Sequence, residues 1–323
     1  MDYRRLGRSG LKVSELSFGS WVTFAKDLDL AGVKKCIRLA FERGVNFFDN
    51  AEAYANGMSE ILMGKAIKEY RREDLVISTK IFWGGNGPND TGLSWKRLME
   101  GTKNSLKRLQ LEYVDLLFCH RPDETTPIEE TVRAMDVLIR SGRVFYWGTS
   151  EWSAQQIEEA HRIAKEIGAI PPVMEQPEYN LFNRSKVEEE FLPLYDKYGM
   201  GTTIWSPLDS GILTGKYAKG IPEGSRFGKH PELSGRLTQE KLDQVNELAS
   251  LARELNCTLA QLSIAWCLKN PHVSTVITGA ANADQLGENM EAIHVKHLLD
   301  EGVMQKIQTI IGGKRWEGIL QKS

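Results

Sequence analysis

The chain alternates between short apolar runs and longer segments whose apolar residues recur at helical spacing. After a basic hairpin pattern (residues 3–6 and 11–13 around a turn at 7–10), the run Leu16-Ser17-Phe18-Gly19 predicts a strand. Asp29 offers an N-cap for a helix in which Val33, Ile37, Ala40 and Phe41 share a face, and Gly44 stops it. Further strands are predicted at 45–49, 75–79, 114–119, 145–149, 173–176, 201–205 and 273–277. Helices fall near 59–68, 94–109, 127–141 (with Pro127 in the first turn), 153–167, 186–198, 242–255 and 259–269, and one at 282–292 closes the series.

Eight strand-then-helix units predict an α/β fold, a (β/α)8 TIM barrel with a short N-terminal β-hairpin, as one domain over residues 1–323. The rival is a doubly wound open sheet with a second domain. No GxGxxG follows the first strand, where the loop reads Gly19-Ser20-Trp21-Val22-Thr23, and no Pro/Gly/Ser-rich linker divides the chain. The longest gap, 208–237, is too long for scaffold alone and predicts a lid-like loop after the seventh barrel strand.

Composition narrows the class. With 41 Lys and Arg against 43 Asp and Glu, the net charge is −2. Nucleic-acid wrapping and a polybasic membrane anchor both need a cationic excess that is missing here. Four scattered cysteines without a CxxC pair exclude a disulfide scaffold and argue against structural zinc. No run approaches the roughly 18 apolar residues of a bilayer span, and no apolar leader follows Met1, so a cytoplasmic protein without membrane insertion is expected. The HxxH at His294 and His297 lacks a matching acidic partner and reads as a solvated loop; no metal is expected.

In a barrel, chemistry gathers where strands end. The second strand ends in Phe48-Asp49-Asn50 with Tyr54 five residues beyond Asp49, the third in Thr79-Lys80, and the fourth in Cys119-His120-Arg121-Pro122. Singly, each has a structural explanation: a loop cap, a half-buried aromatic, a solvated lysine, a core histidine. Together they suit carbonyl reduction, which needs a hydride on carbon and a proton on oxygen. A tyrosine with an ordinary pKa of about 10 needs a neighbouring cation to act near neutrality. Lys80 can supply that cation, Asp49 can fix it, and a neutral His120 can donate a hydrogen bond to the carbonyl oxygen.

The segments Gly44-Val45-Asn46-Phe47-Phe48-Asp49-Asn50-Ala51-Glu52-Ala53-Tyr54 and Ser78-Thr79-Lys80-Ile81-Phe82-Trp83-Gly84-Gly85 resemble the aldo-keto reductase family. The second, with Tyr146-Trp147-Gly148-Thr149-Ser150, resembles its potassium-channel β-subunit branch, and the likeness runs from about residue 3 to 313. It implies a TIM barrel that binds NADPH/NADP+ in extended form, with Asp49, Tyr54, Lys80 and His120 as the catalytic group. It also implies a cofactor site. Ser20 and Trp21 match its first loop, Asp49 also belongs to it, and Ser150 and Gln176 match the carboxamide-binding pair. Trp205 matches the aromatic on which the nicotinamide stacks. Ser206, Pro207, Leu208 and Ser210 match the pyrophosphate-side loop, while Lys216 and Arg226 match residues facing the 2′-phosphate. Gly279, Ala281, Gln285, Glu288 and Asn289 match the adenosine end.

Trp21, Tyr54, Trp83 and His120 would wall an open-topped pocket for small or flat carbonyls. The branch further implies a homotetramer and a potassium-channel partner, the alternative function being a regulatory subunit that senses redox state through bound cofactor. Animal channel subunits of this kind carry asparagine where His120 stands and are slow reductases, so histidine agrees with the active enzymes. Glu151 replaces an arginine and Gly224 a tyrosine, which leads to the expectation of a looser cofactor clamp. With no residues ahead of the hairpin, no channel-plugging peptide is expected.

Overall fold

The computed structural model describes residues 1–21, 23–229 and 231–312, with side chains left aside at 226, 232 and 233. The ends of the predicted domain at 313–323, and Val22 of the first loop, lie outside the described residues. A hairpin of β1 (Tyr3–Arg5) and β2 (Lys12–Ser14) pairs antiparallel. Eight parallel strands then close into a barrel: β3 (Leu16–Gly19), β4 (Phe47–Asp49), β5 (Val76–Ile81), β6 (Val114–Cys119), β7 (Val144–Ser150), β8 (Met174–Gln176), β9 (Gly201–Ile204) and β10 (Val273–Thr278). Each strand pairs with its sequence neighbours, and β10 closes on β3 through Val276 opposite Leu16. This is the expected (β/α)8 architecture.

Helices wrap the barrel where local sequence sets their ends. Asp29 caps α1 (Leu30–Glu42) by accepting from the Gly32 amide at 2.9 Å, and Gly44 leaves the helix at φ +88°. Around the barrel follow α2 (Met58–Ala66), α3 (Trp95–Leu109), α4 (Ile128–Arg140) and α5 (Ala154–Ile167). Capping boxes at Ser153/Gln156 and Thr258/Gln261 start α5 and, later, α9. The hairpin seals the N-terminal end: Leu6 and Val13 pack with Phe47, Val76, Leu116, Phe118 and Met174. Arg4 reaches across to the carbonyls of Leu268 at 2.6 Å and Val273 at 2.8 Å. Functional groups are therefore left to the other end.

Several boundaries depart from the periodicity. The third barrel strand runs on to Ile81, because β6 pairs with it as far as Cys119, so Lys80 stands inside the strand. Pro127 is the cap residue rather than part of α4. The helix predicted at 186–198 is a π-type turn, Lys186–Glu190, followed by α6 (Leu192–Tyr198); Pro193, which lacks an N–H, stands at the junction. The long segment after β9 is not irregular throughout. It holds a 3-10 turn (Asp209–Thr214), α7 (Arg226–Lys229) and a second 3-10 turn (Pro231–Arg236) before α8 (Gln239–Glu254) and α9 (Leu259–Leu268). The chain does not finish with the helix after the last strand: α10 (Ala283–Met290) leads to α11 (Ala292–Val295) and α12 (Glu301–Ile311). His294 therefore sits on α11 and His297 on a 3-10 turn, not on a loop.

Candidate active site

At the C-terminal end of the barrel lies a cleft of about 710 Å³, within the range of small-molecule sites. It is lined at one end by Trp21, Tyr54, Trp83, His120 and Arg121 and at the other by Gly279, Ala281, Gln285 and Asn289.

Strand periodicity brings the four strand-end residues together. Ser78 and Lys80 are two apart on β5 and so face the same way, into the barrel beside Asp49 at the end of β4. The Lys80 ammonium is fully buried and donates to Asp49 Oδ2 at 2.6 Å, to the Asn50 carbonyl at 2.8 Å and to the Tyr54 hydroxyl at 3.0 Å. Asp49 Oδ1 accepts from Ser78 Oγ at 2.7 Å and from Gln176 Nε2 at 3.2 Å. Tyr54 opens a tight turn in which Ala55, Asn56 and Gly57 all have positive φ (48°, 51° and 83°). Such a turn is strained for the two side-chain-bearing residues and persists because its surroundings hold it. His120 faces Tyr54 edge-on at 5.7 Å between ring centroids and Trp83 at 5.0 Å.

Electrostatics divides the roles. Burial raises the Tyr54 phenol above its ordinary value, and Asp49 adds to this, against the lowering by Lys80. The net direction is upward, so the sequence-based idea of a cation bringing the phenol down is overridden and Tyr54 holds its proton at neutral pH. Burial would lower the Lys80 ammonium, but Asp49 and Tyr54 outweigh it and Lys80 stays charged. Burial, Lys80 and Arg121 push His120 well below 6.5, so its ring is neutral. Its Nδ1 is buried without a hydrogen-bond partner among the described residues.

The predicted cofactor residues divide into those that line the cleft and those that do not. Trp21, Asp49, Ser150, Gln176, Trp205, Ser206, Pro207, Leu208, Ser210, Lys216, Gly279, Ala281, Gln285 and Asn289 line it. Ser20 does not; its Oγ donates to the Asp49 carbonyl at 3.0 Å and ties the first loop to β4. Glu288 is exposed and likewise does not line it. Arg226 begins α7, and its side chain lies outside what is described. The wall residues Trp21 and Trp83 are each 42% exposed, which leaves that end open at the top.

In the segment after β9, Ser206, Asp209 and Ser210 have positive φ (56°, 42° and 57°) and Gly211 takes +94°. Charged residues that the sequence pattern did not single out hold this part of the cleft in shape. Asp209 is wholly buried and anchors this backbone through Arg236 at 2.9 Å and Lys241 at 2.7 Å. Asp27 and Lys229 pair at 2.8 Å, joining the loop after β3 to α7. No local sequence pattern marks these pairs, since the partners stand far apart in the chain. Glu151, which departs from the expected arginine, turns to its neighbours: it accepts from Trp205 Nε1 at 3.0 Å and from Lys186 at 2.9 Å. Gly224 lines the cleft with open space where a side chain would stand.

Among the described residues no helix is long and apolar enough to cross a membrane. The chain matches the Aldo/keto reductase family over residues 15–311. It is 56% identical over 320 residues to a protein of Oryza sativa subsp. japonica named as a probable voltage-gated potassium channel subunit beta, spanning 97% of this chain and 98% of that one. A protein of the same name from Arabidopsis thaliana is 58% identical over 320 residues, with the same coverage. One from Schizosaccharomyces pombe, named as a putative subunit of this kind, is 49% identical over 321 residues, or 96% of this chain and 93% of that one. An oxidoreductase barrel of the potassium-channel β-subunit-like branch agrees with the strand-end cluster and the closed eight-strand sheet, and the chain belongs to the aldo/keto reductase family.

Proposed function

We propose that the protein reduces small aldehydes and ketones to alcohols with NADPH, Tyr54 acting as the general acid. The carrying observation is the bonded chain Asp49–Lys80–Tyr54, with a neutral His120 across the cleft. Lys80 fixes the phenol oxygen and offers a positive charge as that oxygen gives up its proton. His120 orients the carbonyl and stabilises the charge developing on its oxygen. The aromatic walls Trp21 and Trp83 would suit small or flat carbonyls.

The cleft fits an extended dinucleotide. The segment 206–211, left-handed at Ser206 and at 209–211, carries amides and hydroxyls suited to an anion. Lys216 lines the cleft with no carboxylate paired to it among the described residues, and Gly279 leaves open space at the far end. In this reading Ser150 and Gln176 hold the carboxamide, Trp205 backs the ring, 206–210 hold the pyrophosphate, and Lys216, with Arg226, holds the 2′-phosphate. Bound NADPH supplies the hydride. Ser20 acts through the first loop, and Glu288 stands exposed beside Gln285 and Asn289, outside the lining itself.

The names of the relatives favour a second reading, in which the protein is a subunit of a voltage-gated potassium channel; there it would assemble as a homotetramer and report redox state through the same bound cofactor. The two readings share the site. Fluorescence titration with NADPH and NADH, followed by single-turnover oxidation of bound NADPH with a small aldehyde, tests the enzyme reading. Tight NADPH binding with turnover supports it. Binding without turnover moves the function to the channel-associated reading, and no binding removes both.

A further inference from the structure

We propose that Arg121 makes the substrate end of the cleft selective for carbonyl compounds that carry a carboxylate. The inference rests on the reductase reading above and adds the class of substrate to it. Arg121 directly follows His120 at the end of β6, is half-buried and lines the cleft beside Trp83. One nitrogen, Nη1, donates to the His120 carbonyl at 2.6 Å and lies 3.4 Å from Ser150 Oγ. That bond fixes the guanidinium 5.6 Å from the Trp83 ring centroid. Nε and Nη2 make no bond to another described residue, so one edge of the fork is left for a ligand.

Charge compensation elsewhere in the cleft isolates this group. The acids lining it are Asp27 and Asp49. Lys229 occupies the first at 2.8 Å and Lys80 the second at 2.6 Å. Arg121 pairs with no carboxylate among the described residues, and a guanidinium cannot be neutralised by losing its proton. The substrate end therefore keeps one positive charge against aromatic walls, where Coulomb attraction is less damped than in bulk water. A carbonyl held between Tyr54 and His120 would leave a carboxylate on the far side of a flat substrate within the reach of Arg121. The reaction is otherwise that proposed above: hydride to carbonyl carbon, proton from Tyr54 to oxygen, the carboxylate unchanged. A bidentate, charge-assisted contact predicts a preference of about tenfold or more.

The test compares 4-carboxybenzaldehyde with its neutral methyl ester as substrates for wild type, Arg121→Gln and Arg121→Lys. Thermal unfolding and NADPH titration are run on each protein. Wild type should favour the acid in kcat/KM by about tenfold, and the preference should shrink as salt is added. Arg121→Gln should lose most of that ratio and Arg121→Lys should keep part of it. A ratio unchanged in Arg121→Gln overturns the proposal. So does an equal loss on both substrates with weakened NADPH binding, which would make Arg121 a cofactor contact. Binding of benzoate and benzamide, followed by tryptophan fluorescence, needs neither turnover nor a variant. Failure of benzoate to bind the wild-type protein more tightly overturns the proposal, whereas benzoate selectivity without any aldehyde turnover supports it and removes the reductase reading instead.

Discussion

Replacing Tyr54 with phenylalanine separates chemistry from folding, and the geometry fixes how far. Lys80 has three oxygen partners, at 2.6, 2.8 and 3.0 Å, and Tyr54→Phe removes only the longest of these contacts. A hydrogen bond to a charged group contributes about 1.5–3 kcal/mol at most. Here water from the open cleft can take the vacated place, so about 1 kcal/mol or less should be lost, a shift in Tm of about 1–2 °C or less for a chain of this length. The catalytic loss should be far larger, about 10²–10⁴-fold, or about 2.7–5.5 kcal/mol in the barrier, because Lys80 is tied to Asp49 and the Asn50 carbonyl and does not take over the position of the lost hydroxyl. Lys80→Met gives the contrasting case. It strands the buried Asp49 carboxylate without its cation, and removing one partner of a buried pair costs about 3–5 kcal/mol. The assay is single-turnover loss of reduced-nicotinamide absorbance with a reactive small aldehyde, beside calorimetric unfolding of both variants. Tyr54→Phe working near the wild-type rate would refute the assignment of the acid, and a Lys80→Met protein as stable as wild type would refute the charge argument.

His120→Asn should keep NADPH binding and slow reduction by about 10²-fold, since a shorter donor no longer reaches the carbonyl. Because burial, Lys80 and Arg121 hold His120 well below 6.5, the wild-type rate should show no histidine limb near that pH, and one appearing there would count against a neutral ring. Lys216→Ala should weaken NADPH by about tenfold or more while leaving NADH little changed; equal losses for both would move the 2′-phosphate elsewhere. Glu175, buried behind Thr149, is pushed up by burial from 4.5 to about 8. Between those values the folded state binds more protons than the unfolded one, so stability should fall as pH rises, by up to about 1.4 kcal/mol per unit. Glu175→Gln should flatten that slope in denaturant titrations and raise stability at pH 8, whereas an unchanged slope would mean the carboxyl is already ionised in the fold.

The sequence alone carried the alternation of strand and helix, the cap Asp29, and the strand-end identities Asp49, Lys80 and His120. These are local: a run of apolar residues, a cap three residues from its amide, a residue two positions from its neighbour on one strand face. The closed barrel followed because eight such units admit few other arrangements. Tertiary structure decided what no neighbour in the chain encodes. The Asp209–Arg236–Lys241 cluster spans 32 residues, and the Asp27–Lys229 pair joins positions 202 residues apart. The sign of the Tyr54 shift depended on burial outweighing a cation, a balance fixed only by packing depth. Glu151, read from its position as a loosened clamp, is held by Trp205 and Lys186 from two other elements. Arg121 gained its meaning from having no carboxylate partner among the described residues, which only the folded cleft defines. Propensity and pattern act over a few residues and so wrote the elements into the chain, whereas desolvation and charge pairing act through space and left the chemistry of the cleft to the fold.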